Sequence, residues 1–201
     1  MDLSESAFIY KTFLDPILRG IRKQINDFLS SGDKVLDVAC GTGAQLFYSA
    51  SRLEEAVGID YSASMIQRAN KKCLKLNFTH LKFIKHDVTV EWPFKDKQFD
   101  TAILSLALHQ FSPEVYPVLL NEFKRVSKKQ VIVDYAMPVP HNILGAGSHV
   151  AEFFAGGTHF GNFKQYKKLG GLNRIVTKYE FNIQKEIYFG GNVFQLVVCS
   201  G

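Results

Sequence analysis

The sequence predicts an α/β protein: a mostly parallel sheet of seven strands with an antiparallel C-terminal strand, helices on both faces and an N-terminal helical lid. Three observations predict it. Apolar runs of strand length alternate with stretches of helical periodicity between residues 34 and 135. The first such run, Val35-Leu36-Asp37-Val38, breaks off at Gly41 and Gly43, as a buried strand does when it delivers a glycine turn to a helix. Near the C-terminus, two β-rich runs are joined by Gly190-Gly191-Asn192, a hairpin signal that forces one antiparallel pairing.

Each element has a reason. Phe8, Ile9, Phe13, Leu14, Ile17, Leu18, Ile21, Ile25, Phe28 and Leu29 recur at helical spacing, and Asp15-Pro16 reads as an N-cap followed by a first-turn proline. Two helices, about 4–14 and 16–30, are expected there, ended by the turn Ser30-Ser31-Gly32-Asp33. Strands are expected at 34–39, 55–60, 81–86, 98–105 and 129–135, with helices at about 43–52, 62–76 and 113–127. Ser62 caps the second of these helices and Ser112-Pro113 opens the third. Strands separated by helices imply right-handed crossovers and a parallel sheet covered on both faces. After Met137-Pro138-Val139-Pro140 the rhythm breaks into a mixed stretch with at least two short helical pieces, and 175–189 and 193–200 are the β-rich runs. The reading is one domain: N-terminal helices at 1–32, a core at 33–136, an insert at 137–174 and a β-hairpin at 175–201.

Composition narrows the class. With 201 residues, 46% apolar and 21% charged, the chain is ordinary for a globular domain. No stretch approaches the ~18 uninterrupted apolar residues of a membrane span. The N-terminus lacks the basic start and apolar block of a signal peptide. Cys40, Cys73 and Cys199 have no metal-ligand spacing and read as reduced thiols, so a cytoplasmic location is expected and no metal. A formal charge of +5 and a pI near 9 invite nucleic acid. The cations come in short groups: Lys71, Lys72 and Lys75; Lys124, Arg125, Lys128 and Lys129; Lys164, Lys167 and Lys168. The first two groups fall beside apolar positions of expected helices, where a solvated face is the ordinary explanation, and no RNA-binding sheet motif accompanies them.

The glycine turn carries the chemistry. A second apolar run ends in Asp60, 23 positions after Asp37, where an acid can accept hydrogen bonds from both ribose hydroxyls of a nucleoside. Aligning Gly41 and Gly43 on the G-x-G-x-x-G pattern puts Leu46 at the third glycine, which obstructs the close approach a pyrophosphate needs. Asp37, aimed at the same place, repels phosphate and suits an ammonium group. The ligand expected is an adenosine carrying an amino-acid cation.

Asp37-x-Ala39-x-Gly41-x-Gly43, Asp60-x-Ser62-x-x-Met65-x-x-x-Ala69, His86-Asp87-Val88, Phe99-Asp100 and Phe123-x-Arg125-Val126 occur in that order. Over about 33–136 this resembles the Rossmann-like class I S-adenosylmethionine-dependent methyltransferases, in particular the small-molecule branch with the ubiquinone and menaquinone enzymes. The resemblance implies S-adenosylmethionine as cofactor and S-adenosylhomocysteine as product. It implies that Ala39, Cys40, Gly41 and Gly43 line the methionine and ribose portion, with Asp37 orienting the amino group. It also implies Asp60 on the ribose, Tyr61 and Met65 against the adenine, Asp87 on the adenine amino group and Val88 on its edge. Ser105 and Leu106 are expected to face the methionine, and Tyr10 resembles a tyrosine that closes over the cofactor. Ala39 stands where the family usually has glycine, which predicts a backbone with no positive φ there.

Methyl transfer from a sulfonium is an in-line displacement whose donor carries its own leaving group, so placement in a dry pocket supplies most of the catalysis. A base is needed only if the acceptor must lose a proton; His109, near the expected transfer point, and His159 are the candidates. After the fourth strand stands Ser105-Leu106-Ala107-Leu108-His109 rather than Asn/Asp-Pro-Pro-Tyr, and no acidic cluster suits magnesium. The expected acceptor is a small or lipid-like molecule. The insert, with His141, His149, His159, Phe153, Phe154, Phe160, Phe163 and Tyr166, is where it would be recognised. An RNA or tRNA methyltransferase and a non-catalytic cofactor-binding protein remain the alternatives, and the oligomeric state is open.

Overall fold

A computed structural model describes residues 15–140 and 157–200. The expected lid helix at 4–14 with Tyr10, and His141, His149, Phe153 and Phe154 of the insert, lie outside the described residues. Helix α1 is Asp15–Asn26, and strand β1, Lys34–Val38, follows it. Helix α2 (Ala44–Ser49), a 3-10 turn (Ala50–Arg52) and β2 (Glu55–Asp60) come next. They lead into α3 (Ala63–Lys75), β3 (Leu81–Lys85), β4 (Phe99–Ser105) and a second 3-10 turn, Leu108–Gln110. The chain continues through α4 (Tyr116–Val126), β5 (Ser127–Tyr135), α5 (Gly157–Lys168) and α6 (Gly171–Lys178) to β6 (Asn182–Phe189) and β7 (Phe194–Ser200).

The seven strands form one sheet in the order β3-β2-β1-β4-β5-β7-β6. Strands β1 to β5 pair in parallel, and β7 runs antiparallel to both β5 and β6. The reversed strand therefore sits one place in from the edge. Val35, Leu36 and Val38 of β1, Ala102, Ile103 and Leu104 of β4 and Val131, Ile132 and Val133 of β5 are all fully buried. Continuous rather than alternating burial is what helices on both faces demand of central strands. Edge strand β6 instead turns Lys185 and Glu186 outward and carries a bulge between Ile183 and Lys185, both of which blunt a sheet edge.

The structure corrects four expected boundaries, the first being that helix α1 ends at Asn26 rather than near residue 30. Residues 175–178, expected as strand, belong to helix α6: Leu172, Ile175 and Val176 share a buried face at helical spacing, and that burial overrides the strand preference of Ile175-Val176-Thr177. Helix α4 begins at Tyr116, because Val115 N–H donates to Ser112 O and closes a turn first; Pro117, not Pro113, is the first-turn proline. Strand β5 starts two residues earlier than expected, at Ser127.

Strand order reverses between β1 and β4, the place where an open α/β sheet leaves a crevice beyond its carboxyl ends. Asp100 and Arg125, two of the ordered motif residues, lie away from that crevice. Asp100 accepts from Lys34 N–H at 2.9 Å and pairs with Lys128 at 2.8 Å, fastening the start of β4 to β1. Arg125 binds Glu122, Asp96 and the carbonyls of Trp92 and Phe94, pinning the 92–96 loop to α4.

Candidate functional site

Two cavities meet at Ala39, beyond the ends of β1, β2 and β4. One, of about 170 Å³, is lined by Asp37, Ala39, Cys40, Ser105 and Leu106 from the sheet side and by Leu18, Ile21, Arg22, Ala44 and Gln45 from α1 and α2. The other, of about 400 Å³, is lined by Ala39, Asp60, Tyr61, Asp87, Val88, Thr89, Gln110 and Phe111. Nine of the residues expected from the sequence are thus brought together. Leu18, Ile21, Arg22, Ala44, Gln45, Thr89, Gln110 and Phe111 were not foreseen.

The turn after β1 is built by β2. Cys40 N–H donates to Ile59 O at 3.0 Å and Gly41 N–H to Asp60 Oδ2 at 2.8 Å, so two successive donors point at the end of the neighbouring strand. That reversal puts Ala39 at φ 55°, against the expectation of an ordinary backbone there. Alanine in the left-handed region costs about 1–2 kcal/mol, which the two hydrogen bonds offset. Leu106, at the end of β4, is likewise at φ 50°, held by its N–H bond to Val133 O at 2.8 Å. Two non-glycine residues in the same strained region thus line the sheet side of the small cavity. Gly43, at φ 73°, leaves no room for a side chain, because a Cβ there would collide with the ring of Phe83. Gly41 has nothing within 4 Å of where its Cβ would stand. Gly43 thus shapes the loop from below while Gly41 keeps its upper side open. Leu46, at the third position of the glycine pattern, is fully buried.

The small cavity is walled by a buried acid and a buried amide. Asp37 is only 3% exposed, and burial, with the charge of Asp60 adding to it, pushes its carboxyl up to about 8. Gln45, 6% exposed, spends its Nε2 on Ser49 Oγ and Arg22 O, while its buried Oε1 has no hydrogen-bond partner among the described residues. An acceptor oxygen and a destabilised carboxylate on one wall call for a cationic donor. Burial and the nearby carboxylates push the Cys40 thiol upward, so it stays protonated.

The large cavity has hydrogen-bonded acids. Asp60 accepts from Gly41 N–H and, through Oδ1, from Ser62 N–H at 2.8 Å; Ser62 caps α3 through Met65 N–H. Asp87 Oδ1 accepts from Thr89 Oγ1 at 2.7 Å and Thr89 N–H at 2.9 Å, and these bonds hold its carboxyl below the usual range. Tyr61 is 70% exposed, an aromatic face open to stacking, whereas Met65 on α3 is half-exposed and outside the lining.

His109 lies in the 3-10 turn at 1% exposure, its Nδ1 2.5 Å from Asp134 Oδ1 and its N–H donating to Asp134 Oδ2 at 3.1 Å. Tyr135, Phe163 and Tyr166 surround its ring. His159 falls on α5, and its side chain is outside the described residues. Among the described residues no group of three His, Cys, Asp or Glu could hold a metal, and no helix is long and apolar enough to cross a membrane.

Residues 35–130 match the family model of a methyltransferase domain. A 2-phytyl-1,4-naphthoquinone methyltransferase of Trichormus variabilis is 30% identical over 114 residues, 53% of this chain and 48% of that protein. A demethylmenaquinone methyltransferase of Lactiplantibacillus plantarum is 31% identical over 100 residues, 45% of this chain and 42% of that protein. An S-adenosylmethionine-dependent methyltransferase of Aquifex aeolicus has the same fold, with a TM-score of 0.65 at 20% identity over 88% of this chain and 87% of that one. Through its core the chain is similar to S-adenosylmethionine-dependent methyltransferases. The match spans under half the length of these relatives.

Proposed function

We propose that the protein is a methyltransferase that moves the methyl group of S-adenosylmethionine to a small or lipid-like acceptor of quinone type. The observation that carries the donor half is the cleft itself: a cavity with a buried, cation-seeking wall joined at Ala39 to one with two bonded acids and an open aromatic ring. The acceptor half is supported by the naphthoquinone and menaquinone enzymes among the relatives.

The residues present fit the donor. Asp37 and Gln45 Oε1 would hold its ammonium and Arg22 its carboxylate. Asp60 would hold the ribose hydroxyls, Asp87 the adenine amino group and Tyr61 the adenine face. When bound, the cofactor supplies an electrophilic methyl group on a sulfonium that is its own leaving group. Leu106 and Ser105 line the small cavity, where they would shield the transferring methyl group. The Asp134 carboxylate fixes the ring and main chain of His109, so the turn that carries Gln110 to the cleft keeps one shape; His109 itself, 1% exposed and outside both linings, acts through that turn.

Calorimetry with S-adenosylhomocysteine and NADH, followed by turnover on a panel of demethylated naphthoquinols and benzoquinols, tests this. Binding of the first nucleoside alone, with methylated quinol formed, is expected. No binding of S-adenosylhomocysteine refutes the donor reading; binding without turnover on any quinol refutes the acceptor reading.

A further inference from the structure

We propose that the cationic face of α5 and α6 docks on an anionic phospholipid surface, setting the mouth of the cleft against a bilayer. The proposal deepens the reading of the acceptor as lipid-like and rests on it. Residues 157–178 contain Lys164, Lys167, Lys168, Arg174 and Lys178 and no acidic residue. On α5, Phe163 and Tyr166 are buried, and the three lysines at i, i+3 and i+4 form the exposed side. The stem of Arg174 lies over Gly170, against which a Cβ would collide at 2.7 Å, so α6 adds its guanidinium beside the end of α5. None of the five cations has a carboxylate partner among the described residues; Lys164 and Lys167 instead lie over the rings of Phe160 and Phe163 at 4.5 and 6.0 Å. Leu169, 37% exposed at the tip between the helices, adds an apolar group to the same end.

Position gives the charge its meaning. Asn162 Nδ2 donates to Gln110 O at 2.6 Å, and Gln110 lines the large cavity, so α5 is fastened to the cleft's own wall. The basic group on α3 offers a contrast. Lys71, Lys72 and Lys75 ride on a helix packed against β2 and β3, at the far edge of the sheet from α5 and α6.

Co-sedimentation of the full chain with phosphatidylcholine vesicles, with and without phosphatidylglycerol, reads the docking directly. Binding to the anionic vesicles at low salt, lost at high salt and absent from pure phosphatidylcholine, is expected. Each cation near the surface is worth about fivefold in partitioning, so the triple variant Lys164→Gln, Lys167→Gln, Lys168→Gln should lose about a hundredfold. The matching triple Lys71→Gln, Lys72→Gln, Lys75→Gln should stay within about threefold of the parent. Equal losses in both triples, or no binding to anionic vesicles, overturn the proposal. So does a single-stranded RNA oligonucleotide that binds through α5 while vesicles do not. Calorimetry with S-adenosylhomocysteine on the same variants should be unchanged, and its failure would count against the donor reading alone.

Discussion

The two halves of the cleft hold carboxylates in opposite conditions. Asp37 is buried and its carboxyl is pushed up to about 8; Asp87, half-buried and doubly bonded by Thr89, is pulled below the ordinary range. Desolvation decides the first and hydrogen bonding the second. One half is therefore incomplete until a cation arrives, and the other is complete before its ligand does. A cofactor with a cationic amino-acid tail and a neutral nucleoside head matches that division.

The most severe way to break the comparison is to remove the acid that serves both halves. Asp60 holds the β1 turn through Gly41 as well as facing the ribose, so Asp60→Ala should weaken S-adenosylhomocysteine more than about a hundredfold by calorimetry, two charge-assisted bonds being lost together. Next comes Asp37→Asn, which separates function from stability. The folded carboxyl keeps its proton up to about pH 8 while an ordinary aspartate gives its proton up near 3.8, so the folded state binds the extra proton and stability falls as pH rises between those values. The amide removes that cost. Thermal or urea unfolding of the ligand-free variant at pH 8 should show a gain on the order of 2 kcal/mol, accompanied by weaker ligand binding. The smallest effect is Ala39→Gly, which relieves a left-handed alanine but frees the unfolded chain; urea unfolding should register a gain under about 1 kcal/mol with binding retained.

The sheet was legible because the central strands are continuous apolar runs, a pattern that parallel strands under helices cannot avoid. The acids of the site were legible for a related reason. A charged residue inside or at the tip of such a run either meets the crevice, as Asp37 and Asp60 do, or takes a buried partner, as Asp134 does with His109. What stayed hidden depends on tertiary packing. The φ of Ala39 is set by hydrogen bonds to Ile59 and Asp60, twenty residues on, and alanine carries no sign of it. Arg22 and Gln45 reach the cavity only because α1 and α2 pack together above β1, and helical periodicity marks their buried stripe without saying what it faces. Residues 175–178 misled because Ile, Val and Thr favour strands locally, while their helical spacing with Leu172 decided the outcome.

The central claim is that the two halves bind different parts of one ligand and only the Asp37 half senses protons. Calorimetric titration of S-adenosylhomocysteine and of 5′-methylthioadenosine, which lacks the amino-acid tail, across about pH 6 to 8 measures this directly. The account predicts that S-adenosylhomocysteine tightens more than about tenfold over that range as Asp37 ionises, and that methylthioadenosine does not change. Identical pH profiles for the two ligands would contradict it.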